Sequence, residues 1–181
     1  MRRPTYYCVV DIEATCSEDD SISRREMEII EIGAVMVNGA NLEPIDEFQS
    51  FVRPLRNPKL TKFCMDLTSI RQMEVDTAPR FPDANSNFAK WLRHYPDYIF
   101  SSWGDYDRIQ FERDCKWHRT AYPFTARHLN LRTAFAKKQS LPKPVGLFPA
   151  LRRANLRFQG THHRGIDDAR AIASLLPYIV T

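Results

Sequence analysis

The sequence predicts an α/β domain, a mixed five-stranded sheet with helices packed on it. Three β-rich runs with short connections come first. Beyond about residue 80 the apolar spacing changes to the helical period, with short apolar strands between the helical stretches. Strands grouped first, followed by alternating β and α segments, imply one mixed sheet covered by helices.

The first strand is read at Tyr6–Ile12, a β-rich run that ends in acidic residues, so a buried strand carries a polar tip. A second strand is expected over Met27–Asn38. The turn signal Asn38-Gly39 separates it from a third at Asp46–Val52, giving an antiparallel meander. Phe81, Ala84, Phe88 and Trp91/Leu92 recur at helical spacing and predict an amphipathic helix over Phe81–Arg93. Tyr98–Ser102 reads as a short buried strand, and Tyr106–His118 as the helix after it. His128–Leu131 supplies a fifth strand leading into a helix at Thr133–Lys138. Further helices are expected at Gly146–Ala154 and Asp167–Tyr178, the second with Asp at its start and a stripe of Ala169, Ile172, Ala173 and Leu176. The Pro-bearing stretches Arg53–Pro58 and Leu141–Pro144 read as loops within one domain spanning residues 1–181.

Composition narrows the class of protein. An excess of 26 Lys+Arg over 22 Asp+Glu gives a formal charge of +4, mildly basic and compatible with a polyanionic partner. Cys8, Cys16, Cys64 and Cys115 form no C-x-x-C pair, which argues against a disulfide framework or a structural zinc and for a reducing, cytoplasmic location. The apolar run near the start is too short for a signal peptide, and no run approaches a membrane span.

Carboxylates interrupt the apolar segments at three places. Asp11 and Glu13 close the first strand, and residues two apart on a strand project to the same face. Two like charges side by side are unfavourable unless a cation offsets them, or unless the strand end is solvated. A third acid follows the fourth strand in Ser-Ser-Trp-Gly-Asp-Tyr-Asp, where Asp105 or Asp107 opens the next helix and either fits a helix cap. The last of these places, Thr161-His162-His163-Arg164-Gly165-Ile166-Asp167-Asp168, precedes the last helix. No cysteine or further histidine joins the His pair at a zinc spacing. Carboxylate-dominated sites favour Mg²⁺ or Mn²⁺.

In this order of motifs the chain resembles the DEDDh 3′-5′ exonucleases, which have an RNase H-like fold. It is most similar to the branch of the enhanced-RNAi and 3′ histone-mRNA exonucleases and their small bacterial relatives. The resemblance runs from Tyr7 to about Ile179. It rests on VVDIEATC (Val9–Cys16), EIIEIGAV (Glu28–Val35), SFVRP (Ser50–Pro54), FCMDLTSI (Phe63–Ile70), VDTAPRF (Val75–Phe81) and HHRGIDDARAIA (His162–Ala173).

The resemblance implies a sheet with three antiparallel strands followed by parallel ones. It implies an exoribonuclease that uses two Mg²⁺, with Mn²⁺ able to substitute, and releases 5′-mononucleotides from single-stranded RNA 3′ ends. Asp11, Glu13, Asp107 and Asp168 resemble the metal ligands. His163 resembles the general base, because the branch pattern H-x-G-x-D-D fits only with His163 first, and Asp167 is left as a cap or supporting group. Ala14, Thr15, Met65 and Tyr106 are expected against the terminal nucleotide. Trp103 is expected in the core, and Arg152, Arg153, Arg157 and Arg164 are candidates for phosphate contact. The flanking nucleic-acid-binding domain of some relatives is not expected, and protein partners are not indicated. The alternatives are a DNA 3′-5′ exonuclease and a catalytically inactive nucleic-acid-binding module.

Overall fold

Strand β1 (Tyr6–Ala14) is the centre of the sheet, and its composition suits that place: Cys8, Val9 and Val10 are fully buried. The computed structural model describes residues 4–180. β2 (Ile29–Asn38) and then β3 (Pro44–Phe51) extend the sheet antiparallel on one side; β4 (Tyr98–Ser102) and β5 (His128–Asn130) extend it parallel on the other. The order β3-β2-β1-β4-β5 is the expected arrangement of three antiparallel strands followed by parallel ones, with the RNase H-like fold.

Alternation along β1 sorts the two faces. Tyr7 and Val9 join a core with residues of α5 (Leu131–Lys138), α6 (Leu147–Arg153), α7 (Gly165–Ala173) and α8 (Pro177–Val180). Cys8, Val10, Ile12 and Ala14 face α3 (Phe81–Leu92) and α4 (Tyr106–His118), around Phe88, Phe100, Phe111 and Phe124. The Phe100 and Phe124 rings stack with centroids 3.7 Å apart.

Several boundaries differ from the sequence reading, each for a local reason. β1 continues to Ala14, so Glu13 lies within the strand rather than beyond it. Asn130 ends β5 because its side chain accepts from the Thr133 N–H at 3.0 Å, which starts α5 at Leu131. The single terminal helix expected at Asp167–Tyr178 is two: α7 starts earlier, at Gly165, and ends at Ala173, and α8 starts at Pro177. Proline lacks an N–H and its ring clashes with the preceding turn, so one continuous ladder cannot pass through it. Two short helices went unread, α1 (Lys62–Thr68) and α2 (Gln72–Asp76). Neither is long enough to show the helical period over more than two turns, although Thr61 caps α1 by accepting from the Cys64 N–H at 3.0 Å.

Candidate active site

Because β1 and β4 are parallel, their C-terminal ends share one edge of the sheet, and α4 begins just beyond β4. Asp107 in the first turn of α4 reaches back to β1, where the Ile12 N–H donates to its Oδ1 at 3.1 Å. From the other side α7 starts against β1 at Gly165, so close that a Cβ there would lie 2.9 Å from the Asp11 carbonyl oxygen. Asp168, in the first turn of α7, accepts from the His163 N–H at 2.7 Å, and its Oδ1 lies 3.0 Å from His162 Nδ1. A left-handed backbone at His163 (φ 61°) turns the chain into the helix.

These elements enclose a cleft of about 330 Å³ that includes Asp11, Glu13, Asp107, Asp168, His162 and His163 among its lining residues. Ligand oxygens of Asp11, Glu13 and Asp168 lie within 4.8 Å of one another. His163 Nδ1 is 3.9 Å from Glu13 Oε1. Among the described residues no Lys or Arg pairs with any of the four acids. Electrostatics follow from that. Burial, then the charges of Asp107, Glu13, Asp168 and Glu31, hold the Asp11 carboxyl well above the usual range. Glu13 is pushed up to about 9 by burial and then by Asp168 and Glu31. Burial raises Asp107 to about 6, against the lowering effect of the Ile12 N–H, and also raises Asp168. Burial and then His162 lower the His163 imidazole. Four crowded carboxylates without a cationic partner fit hard divalent cations, which neutralise the repulsion.

Other expected residues sort differently. Asp105 is exposed and turned to Asn130 Nδ2 at 2.9 Å, which leaves Asp107 as the acid of this helix that enters the cleft. Asp167 accepts from the Thr161 N–H and from Arg170, both at 2.9 Å, and so pins the loop ahead of α7. Tyr106 lines the cleft, 41% exposed, and Trp103 lines it while also packing on Phe135. Ala14, Thr15 and Met65 do not line it. Thr15 is buried, with its hydroxyl accepting from the Glu28 N–H at 3.0 Å, a bond that ties the end of β1 to the start of β2. Met65 packs in a separate small cluster around Ile30, Leu60 and Ile70. Arg164 is also not a free phosphate ligand: its Nε donates to buried Glu31 at 3.1 Å and its guanidinium lies over Phe51.

Glu31 is the supporting residue the sequence reading missed. It accepts from Gln49 Nε2 at 2.6 Å, Arg164 and the Gly165 N–H at 3.0 Å, so it anchors the start of α7 to β2. Its signal is the register Glu13↔Glu31, visible only once the strands are paired.

Residues 8–176 match the family model described as Exonuclease. The solved nuclease domain of 3′hExo, described as a DEDDh family member bound to rAMP, has a TM-score of 0.85 to this chain at 31% identity, covering 96% of this chain and 92% of that one. The chain belongs to the DEDDh exonuclease family. That exonuclease family is divalent-metal dependent. This DEDDh exonuclease is also similar to the 3′-5′ exoribonuclease 1 of Rattus norvegicus, 32% identical over 178 residues that cover 94% of this chain and 51% of the rat protein. It thus spans about half the length of that relative. A 3′-exonuclease solved for 3′-end specific recognition of a histone mRNA stem-loop has a TM-score of 0.87 at 30% identity, covering 96% of this chain and 62% of that one.

The acid cluster makes metal dependence measurable without turnover. Folding raises these carboxyl pKa values from about 4 in the unfolded chain. Their repulsion therefore costs nothing below that pH, grows as the pH climbs, and for Glu13 is complete above about 9. A divalent cation binding the folded state offsets it. The rise in melting temperature on adding Mg²⁺ or Mn²⁺ should be larger at pH 8.5 than at pH 5.5, measured by differential scanning fluorimetry. Equal shifts at both pH values would show that the cation binds elsewhere.

Proposed function

We propose that this chain is a 3′-to-5′ exoribonuclease that takes single-stranded RNA 3′ ends and releases 5′-mononucleotides, with two Mg²⁺ ions as cofactor, Mn²⁺ substituting, in the cytoplasm. The observation that carries the reading is the convergence of Asp11, Glu13, Asp107 and Asp168 with His163 on one cleft. Asp11, Glu13, Asp107 and Asp168 are the residues that would hold the two ions, which would supply orientation of the attacking water and charge stabilisation of the departing 3′-oxygen.

The protein's own groups do the rest. His163, with a lowered pKa and a half-exposed ring, is neutral at pH 7 and accepts the proton of the attacking water. His162 has a different place: its ring packs edge-to-face against both Phe148 and Phe158, with Nδ1 against Asp168, and it fixes that carboxylate. Tyr106 offers its ring at the cleft wall to a terminal base, a contact of about 1–3 kcal/mol that does not depend on sequence.

The test is a time course with 5′-labelled single-stranded RNA and matched DNA, in Mg²⁺ and in EDTA. A metal-dependent ladder shortening from the 3′ end, faster on RNA, is expected. Faster DNA cleavage overturns the RNA assignment, and no cleavage of either polymer overturns the activity. In the same assay His163→Ala should lower kcat about 10²- to 10⁴-fold while retaining the metal-induced melting shift. His162→Ala should lose about 10- to 100-fold, with a weakened melting shift. A larger kcat loss for His162→Ala would exchange the two roles.

A further inference from the structure

A second feature lies at the far end of α4, away from the carboxylates. Arg25, Arg56, Arg113, Lys116, Trp117 and Arg119 line an open groove of about 660 Å³. Arg56 is answered by two buried acids, Asp114 at 3.3 Å and Glu28 at 3.7 Å. Arg25, Arg113, Lys116 and Arg119 make no ion pair among the described residues. Four unneutralised cations converge there with Trp117, which stays 45% exposed while the Arg56 guanidinium sits 4.6 Å over its ring. Like charges gathered at one place repel one another, and a polyanion relieves that repulsion.

The groove is aligned with the cleft. Tyr106, Arg113 and Trp117 are at i, i+7 and i+11 of α4, one stripe along a helix. At 1.5 Å per residue the stripe carries Trp117 about 16 Å from Tyr106. Met27 joins the two ends. Its sulfur receives the Tyr106 hydroxyl at 3.5 Å, and its carbonyl accepts from Gln110 Nε2 at 2.8 Å and from Arg56 Nη2 at 2.9 Å. The Arg24 carbonyl, accepting from Arg113 Nη1 at 3.0 Å, ties the loop before β2 to the same side of α4.

We infer that this groove binds the sugar-phosphate backbone of the substrate strand upstream of the 3′ end held in the cleft. The inference rests on the exoribonuclease reading. The cations take phosphates, and Trp117 offers an apolar surface to a base or ribose. At about 3.4 Å per stacked nucleotide, 16 Å places the contact about five nucleotides from the end. A trinucleotide fills the cleft without reaching the groove, whereas a dodecamer fills both.

The test is fluorescence anisotropy with labelled oligoribonucleotides of 3, 6 and 12 residues, in Mg²⁺, on the Asp11→Asn protein to prevent turnover. Affinity should rise at least tenfold from the trimer to the 12-mer. Adding Arg113→Glu, Lys116→Glu and Arg119→Glu should abolish that gain and leave the trimer's affinity unchanged. It should also reduce the slope of log K against log salt for the 12-mer by about 2, at roughly 0.7 per phosphate contact on a single strand. Trp117→Ala alone should weaken the 12-mer about tenfold with the slope retained. An undiminished length gain in the charge-reversed protein overturns the inference, as does an equal loss for trimer and 12-mer. Trimer hydrolysis by the wild-type protein and by the charge-reversed protein with Asp11 restored keeps the two readings apart. If neither cleaves it, the proposed activity fails, while the binding series still decides the groove.

Discussion

Asp11→Asn is expected to give a protein that melts at a higher temperature without metal and has lost about a thousandfold of the proposed exoribonuclease activity. The two effects share one cause. Asp11 sits on the central strand, and burial and three carboxylates of the cleft, Asp107, Glu13 and Asp168, raise its pKa. In the metal-free protein an amide of the same shape removes one source of that repulsion, so folding gains. In the metal-bound protein the same change removes an anionic oxygen from the cation site. Losing about 4 kcal/mol of charge stabilisation corresponds to a rate about a thousandfold lower. Melting curves in EDTA and in Mg²⁺ check both halves. The mutant should start above the parent in EDTA and gain less from Mg²⁺. A mutant that melts lower in EDTA would mean that Asp11 serves the fold rather than the metal, and one with full activity would remove it from the site altogether.

Asp168 and His163 are set apart from their neighbours only by the resemblance to the branch pattern H-x-G-x-D-D, whereas Asp11 and Glu13 stand out because they interrupt an apolar strand. The sheet was legible for the same reason: β1, β2 and β4 are buried along nearly their whole length, so they appear as continuous apolar runs. What failed to show depends on tertiary contacts. In the sequence only the resemblance favours Asp107 over Asp105; what holds them apart is tertiary, the Asn130 side chain, 25 residues away, binding the one and the Ile12 N–H donating to the other. The bond that the Thr15 hydroxyl accepts from the Glu28 N–H becomes visible only once β1 and β2 are paired. Arg164 looks like a phosphate ligand until Glu31 arrives beneath it from another strand. The groove around Trp117 joins residues from three separated segments, and only folding brings them together.

Gly33→Ala is expected to damage both stability and catalysis, although residue 33 does not line the cleft. Gly33 pairs with Asp11 in the β1–β2 register, on the face where α7 begins. A Cβ at position 33 would fall 2.2 Å from the carbonyl carbon of Gly165 and 2.2 Å from the nitrogen of Ile166. Both are backbone atoms, so no side chain can rotate away, and α7 itself must move. Overpacking of this kind costs about 1–3 kcal/mol, a fall in melting temperature of roughly 2–12 °C for a chain of this size. The same displacement carries Asp168 away from Asp11 and Glu13, because Asp168 lies one turn into the helix being pushed. A misplacement of about 1 Å at a reacting centre can lower the rate about a hundredfold, so kcat should drop at temperatures where the mutant remains fully folded. Gly146→Ala is the steric control: its added Cβ would meet nothing closer than 3.7 Å, so it should keep the parent's kcat and lose only the small stability that Ala costs at the N-cap of α6. If Gly33→Ala melts lower but keeps full kcat when folded, the close seat of α7 on β2 sets stability alone. If both fall, the two-glycine contact places the fourth carboxylate, and the fold positions the chemistry through a side chain it leaves out.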